Sequence, residues 1–164
     1  MNIKELLINE LQQEATSTYK MLSRVPMDKF TWKPHVKSMA IGQLAIHIAG
    51  LVGWVELVVN HDELNLENFK APEAKSTEDL LQLFENAKEK SVQALQNADE
   101  NDLLNGEWTL RHGEHIILKL PKINVIRTMS MNHLYHHRGQ LGVYLRLLDI
   151  PVPAVYGSSA DEKM

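Results

Sequence analysis

The sequence predicts an all-α protein: a four-helix bundle with a small β-hairpin inserted before the last helix. Three observations carry this. Four segments of roughly 20 residues or more repeat apolar side chains at three- and four-residue spacing. Proline-bearing or polar connections separate the first three. Only one stretch, Glu107–Leu120, replaces the helical period with an imperfect alternation.

Helix one spans Ile3–Ser23, with Leu7, Leu11, Ala15, Tyr19 and Leu22 on one stripe, and Pro26 stops it. Pro26–Lys37 holds two prolines and Trp32 and reads as a packed loop. Ser38 suits the N-cap of helix two, Met39–Asn60. This is the most apolar part of the chain and is long enough to raise the membrane question. Gln43, His47 and Glu56 interrupt it and no second span accompanies it, so a buried bundle helix is the better reading and no membrane partner is expected. His61–Lys75 is polar and loop-like. Ser76-Thr77-Glu78-Asp79 resembles a capping box and opens helix three, which runs to Asn97 with Leu80, Phe84, Ala87 and Leu95 on its apolar stripe. The hairpin pairs Glu107–Arg111 with His115–Leu120 around Gly113. Pro121 suits the first turn of helix four, which continues to Leu148, where "DIPVP" ends it.

The 164 residues fit one domain, 1–164, and can bury a core without staples. Hydrophobic residues at 44% and charged residues at 23% argue against disorder. A net charge of -4 without any basic run argues against a nucleic-acid partner. Cysteine is absent, which excludes disulfides, thiolate metal sites and a cysteine nucleophile. That absence suits a reducing cytoplasm, and the amphipathic, partly acidic start lacks the features of a signal peptide.

The chemistry concentrates in "MNHLYHHRGQL", Met131–Leu141. His133 and His137 are four apart, so on a helix they share one face and can bind one metal ion. His136 points elsewhere. Ile126, Met129, His133, His137, Gln140 and Tyr144 follow helical spacing and place the pair beside an apolar stripe. His47 is the best third ligand, because a histidine mid-helix in an apolar segment needs a partner. Gln43, one turn earlier, is placed to support it. Three neutral imidazoles with an open position describe a catalytic-type site, which Zn²⁺, Ni²⁺ or Fe²⁺ would tolerate. The plainer readings are a hydrogen-bonded core histidine at 47 and a solvated or interface patch at His136-His137-Arg138.

Other signals are weak. Leu134 excludes the zinc-protease H-E-x-x-H, and no phosphate-binding glycine loop occurs. His112 and His115 flank the hairpin turn as exposed residues. Trp32 and Trp54 are packing residues that could also wall a pocket. Arg138 and Arg146 suit the helix dipole, or an anionic substrate.

"NHLYHHRGQLGVYLRLLDIPVPAVYGSSADE" resembles the C-terminal signature of the DinB/YfiT-like metalloenzymes, and "SMAIGQLAIHIAGL" resembles their second-helix segment. The resemblance covers nearly the whole chain. It implies a DinB-type four-helix bundle, commonly a homodimer, holding a divalent metal, zinc or nickel, on three histidines. Matched residue by residue, these are His47, His133 and His137, with His136 outside the ligand set. Relatives include bacillithiol S-transferases and mycothiol-dependent isomerases, which use a low-molecular-weight thiol on small electrophiles. The resemblance therefore implies a small-molecule substrate and a thiol co-substrate, which must come from outside a chain without cysteine. A non-catalytic metal-binding dimer in stress response and a metal-hydroxide hydrolase are the competing readings.

Overall fold

Helix α1, Ile3–Leu22, begins at an Asn2 cap whose side-chain oxygen accepts the Glu5 N–H at 2.9 Å, while the Glu5 carboxylate accepts the Asn2 N–H. The computed structural model describes residues 2–163. Leu7, Leu11, Ala15 and Leu22 are buried as their spacing predicts. Tyr19 is a correction: it is 39% exposed, and Thr18 and Met21 take its place inside.

The connection from Val25 to Ala40, expected to be packed, is mostly exposed, with Phe30 and Trp32 half-buried against the core. It also provides the start of the next helix, α2 (Ile41–Leu51). The Ile41 N–H donates to the Trp32 carbonyl at 2.8 Å, and the Gly42 N–H to the Phe30 carbonyl at 3.0 Å. Orphan donors of the first turn are thereby satisfied by the preceding loop rather than by a side-chain cap. Ser38 is not the N-cap; its N–H closes a turn onto His35, and the helix starts after Ala40. Phe30 lies flat against Gly42, where a Cβ would overlap its ring. Gly42→Ala is therefore expected to cost about 1–3 kcal/mol, because overpacking forces the loop off the helix. Urea unfolding of the variant beside wild type measures this, and an unchanged midpoint would show that Phe30 moves aside freely.

The long second helix is broken, which corrects the single span Met39–Asn60. After Leu51 the chain tightens through Val52 and Gly53 and resumes as α3, Trp54–Asn60. The cause is insertion of two serines into the hydrogen-bond ladder. Ser91 donates its hydroxyl to the Val52 carbonyl at 2.8 Å and accepts the Glu56 N–H at 3.3 Å. Ser130 donates to the Leu51 carbonyl at 2.8 Å. Ile41–Asn60 is apolar and long enough to cross a membrane, with mean hydropathy 1.6, and 56% of that window is buried inside the protein.

Helix α4, Thr77–Asn97, has the predicted bounds. The Ser76 hydroxyl oxygen accepts the Asp79 N–H at 3.0 Å, and the Asp79 carboxylate reaches back to the Lys75 N–H. A short helix α5, Glu100–Asn105, follows. The hairpin is β2 (Glu107–His112) and β3 (His115–Pro121), turning at Gly113 with φ +56. A third strand, β1 (Glu63–Asn65), pairs parallel to β2 inside the segment expected to be loop. It is held by Glu63, whose carboxylate accepts from Arg111 Nη2 at 2.6 Å. The sheet order is β1-β2-β3, with Trp108 of β2 fully buried against the bundle.

The last helix has three parts. Pro121 belongs to β3 rather than to the first helical turn, its ψ being 140. A turn α6, Lys122–Val125, leads into a π-helical stretch, Ile126–Asn132, and then α7, His133–Leu147. The core pattern shows why: the buried pair Val125 and Ile126 repeats five residues later as Ser130 and Met131. The helix ends in a Schellman motif. Asp149 takes φ 56, its N–H donates to the Arg146 carbonyl and the Ile150 N–H to the Leu145 carbonyl. The four long helical runs, α1, α2–α3, α4 and α6–α7, pack one core, with the small sheet at their side.

Candidate metal centre

His47 comes from the middle of α2, and His133 and His137 from the first turn and a half of α7. The structure brings all three together. Nε2 of His133 lies 3.4 Å from Nε2 of His47 and 2.9 Å from Nε2 of His137. One ligand nitrogen from each of the three falls within 4.8 Å of the others. Nitrogens ~2.0–2.1 Å from one tetrahedral ion lie roughly 3.3–3.4 Å apart, so the donor set fits a divalent metal, the His133–His137 edge being the tighter one. Among the described residues no carboxylate joins this group.

The ring orientations are held from outside. Gln140 Oε1 accepts from Nδ1 of His137 at 2.7 Å, which leaves the Nε2 lone pair turned inward. The Gln140 amide nitrogen meanwhile donates to Nε2 of His136 at 3.0 Å. His136 is exposed and touches the centre only through Gln140 and through its ring, 4.9 Å from that of His137. The His133 ring bonds the backbone carbonyl of Met129. That carbonyl is not taken by the His133 N–H, which donates to Ser130 instead.

Sequence spacing did not single out Ser130. It is fully buried one turn before His133, and its hydroxyl grips the Leu51 carbonyl one turn after His47. The two helices that carry His47 and His133 are therefore cross-linked beside those histidines. A lone serine between methionines was the only trace of it.

Of the supporting residues, Gln43 is exposed and uses its Oε1 to accept the Ala40 N–H at 3.0 Å. It therefore supports the start of α2, and lines a cavity beside His47. Trp54 lines the same cavity, about 840 Å³, and its ring lies 6.5 Å from that of Phe69. Tyr144 packs edge-on against Trp32 at 5.8 Å and donates to the Met39 carbonyl at 3.4 Å. Arg138 is a correction. It is 3% exposed and faces α1, where it pairs with Glu14, so it neither lines the cavity nor lies free at a helix end.

Burial pushes the His47 imidazole down to about 4, helped by the charges His137 and His133 would carry. Burial and His137 also lower His133, partly offset by its bond to Met129. Both are thus neutral at neutral pH, with lone pairs available to a cation. The sign of the stability effect follows. Below the usual 6.5 the unfolded chain protonates His47 and the native one does not, so folding stability falls as pH drops from about 6.5 to about 4. The metal-free protein should lose more of its melting temperature over that window than His47→Ala does. Carboxylates titrate in both proteins, so equal losses would refute the effect.

A helical bundle that brings three histidines together from two facing helices has a donor set that fits a metal site of the kind built in bundle cores. The family model described as DinB family matches residues 1–163. The chain belongs to the DinB family. It is 24% identical over 162 residues to the uncharacterized protein YrdA of Bacillus subtilis (strain 168), covering 91% of this chain and 85% of that protein. Among solved structures it is similar to the DinB-like protein YjoA of Bacillus subtilis, with TM-score 0.71, 23% identity, and coverage of 92% of this chain and 97% of that one. A DinB-like protein from Bacillus cereus ATCC 10987 gives TM-score 0.67 at 22% identity, over 93% and 97% of the two chains. These structures share the bundle fold, and the three histidines fit a metal-binding site.

Proposed function

We propose that the protein is a divalent-metal-dependent transferase that joins an external low-molecular-weight thiol to a small electrophile. The observation that carries this is the set of three converging Nε2 atoms, with His137 held by Gln140 and no fourth protein ligand in the group among the described residues. Three protein ligands are what a catalytic rather than a structural site retains. His47, His133 and His137 would hold the ion, zinc or nickel by resemblance to the family. When bound, it would supply Lewis acidity that lowers the pKa of a thiol or water to near neutrality.

The chain's own residues do the rest. Gln140 and the Met129 carbonyl fix ring orientation, and the cavity beside His47 gives an electrophile a place to sit next to the histidines. Since the chain has no cysteine, the attacking sulfur is not its own. The test is conjugation of 1-chloro-2,4-dinitrobenzene to a panel of low-molecular-weight thiols. Turnover that chelation abolishes and zinc or nickel restores supports the reading. No turnover with metal still bound would make the protein a metal-binding module instead, and ester hydrolysis without thiol would assign it to metal-dependent hydrolysis.

A further inference from the structure

We infer that the cavity beside His47 takes a substrate with an apolar body about 10 Å long and an anionic group at its far end. This rests on the proposed function only for which end of the substrate meets the histidines. The cavity, about 840 Å³, has His47 at one side. From there its floor runs along Gly50, Leu51 and Trp54. Its outer wall is the loop segment Phe69–Pro72, with Pro72 against Gly50 and Phe69 against Trp54. Gly50, Leu51, Trp54, Phe69 and Pro72 offer a substrate body mainly apolar and aromatic surface for dispersion and burial.

Charge enters beyond them. Lys70 follows Phe69 in the outer wall, and Lys90 lines the cavity from α4. Both belong to the Trp54 level. Lys70 follows Phe69, whose ring lies tilted 6.5 Å from that of Trp54, and Lys90 adjoins Ser91, which is bonded to Val52 and Glu56. Seven helical positions separate His47 from Trp54, roughly 10 Å at ~1.5 Å per residue. Neither lysine is in an ion pair among the described residues. The one acid lining the cavity, Glu56, is engaged by the Asn60 amide, which donates to its Oε1 at 2.8 Å. Two ammonium groups against one carboxylate leave an excess of positive charge, which favours a carboxylate, sulfonate or phosphate there. An apolar molecule without that group leaves both lysines unused, and a cationic one meets them at the cavity's far end.

Calorimetric titration of the chelator-treated, metal-free protein with octanoate, 1-octanol and octylamine tests this. Octanoate should bind at least about tenfold more tightly than either of the others, the scale of one charge-assisted contact. Lys70→Ala with Lys90→Ala should erase most of that preference and leave 1-octanol unchanged. Both lysines are exposed, so the variant keeps its fold, which circular dichroism verifies. Equal binding of octanoate and 1-octanol, preference for octylamine, or octanoate binding insensitive to both lysines would overturn the inference. Octanoate that binds only the metal-loaded protein would also overturn it, since the carboxylate would then sit at the histidines. Because the readout uses metal-free protein, failure of the transferase assay leaves this result standing, and the reverse holds too.

Discussion

Purified protein supplemented with zinc or nickel should hold about one equivalent of metal, and His47→Ala, His133→Ala and His137→Ala should each lose most of it. Each imidazole is one of three ligands, and no neighbouring carboxylate among the described residues can replace it. A site with two histidines left binds the ion through fewer bonds. His136→Ala is the informative control. His136 contacts the amide nitrogen of Gln140, not the centre itself, so metal should be retained. Elemental analysis after gel filtration reads all four variants. If wild type holds no stoichiometric divalent ion, or if His136→Ala loses it as fully as His137→Ala, the assignment of ligands is wrong.

The convergence of His47, His133 and His137 was legible because it rests on local pattern. His133 and His137 share a face at any four-residue step, and His47 stands out as a polar residue in an apolar helix. Boundaries set by local capping, such as Ser76 before α4, were legible for the same reason. What escaped the sequence reading was decided by other elements. The break after Leu51 exists because Ser91 and Ser130 arrive from two different helices. Strand β1 is three residues long and forms only where β2 offers an edge. The π-helical stretch was hidden by assuming a 3.6-residue period through Met129. The five-residue step from Val125 and Ile126 to Ser130 and Met131 marks it once burial is known. The cavity wall at Phe69–Pro72 comes from a segment with no pattern of its own.

Arg138→Ala should destabilise the fold by about 3–5 kcal/mol, the cost of leaving a buried carboxylate without its cation. Arg138 is 3% exposed and Glu14 7%. Nη2 of Arg138 donates to Glu14 Oε2 at 2.6 Å and to the Tyr156 hydroxyl at 2.6 Å, and Tyr156 in turn donates to the same carboxylate oxygen at 2.8 Å. Nη1 donates to the Thr18 hydroxyl at 3.0 Å and to the Glu14 carbonyl at 3.1 Å. One guanidinium thus ties α7 to α1 and to the C-terminal tail. A domain of this size has roughly 5–15 kcal/mol of stability in total, so the loss is a large share. Glu14→Ala should cost a similar amount by stranding the guanidinium. Replacing both, as Glu14→Leu with Arg138→Met, removes both buried charges at once and should recover much of the loss. Urea unfolding of Glu14→Leu, Arg138→Met and the double closes the cycle, with the two alanine variants measured beside them. If the singles lie within about 1 kcal/mol of wild type, water reaches the pair and it is not a buried tie. The geometry also separates this effect from ligand loss. Arg138 follows His137 directly yet faces α1 rather than α2, so Arg138→Ala should lower the unfolding midpoint while protein that remains folded still binds metal on its three histidines.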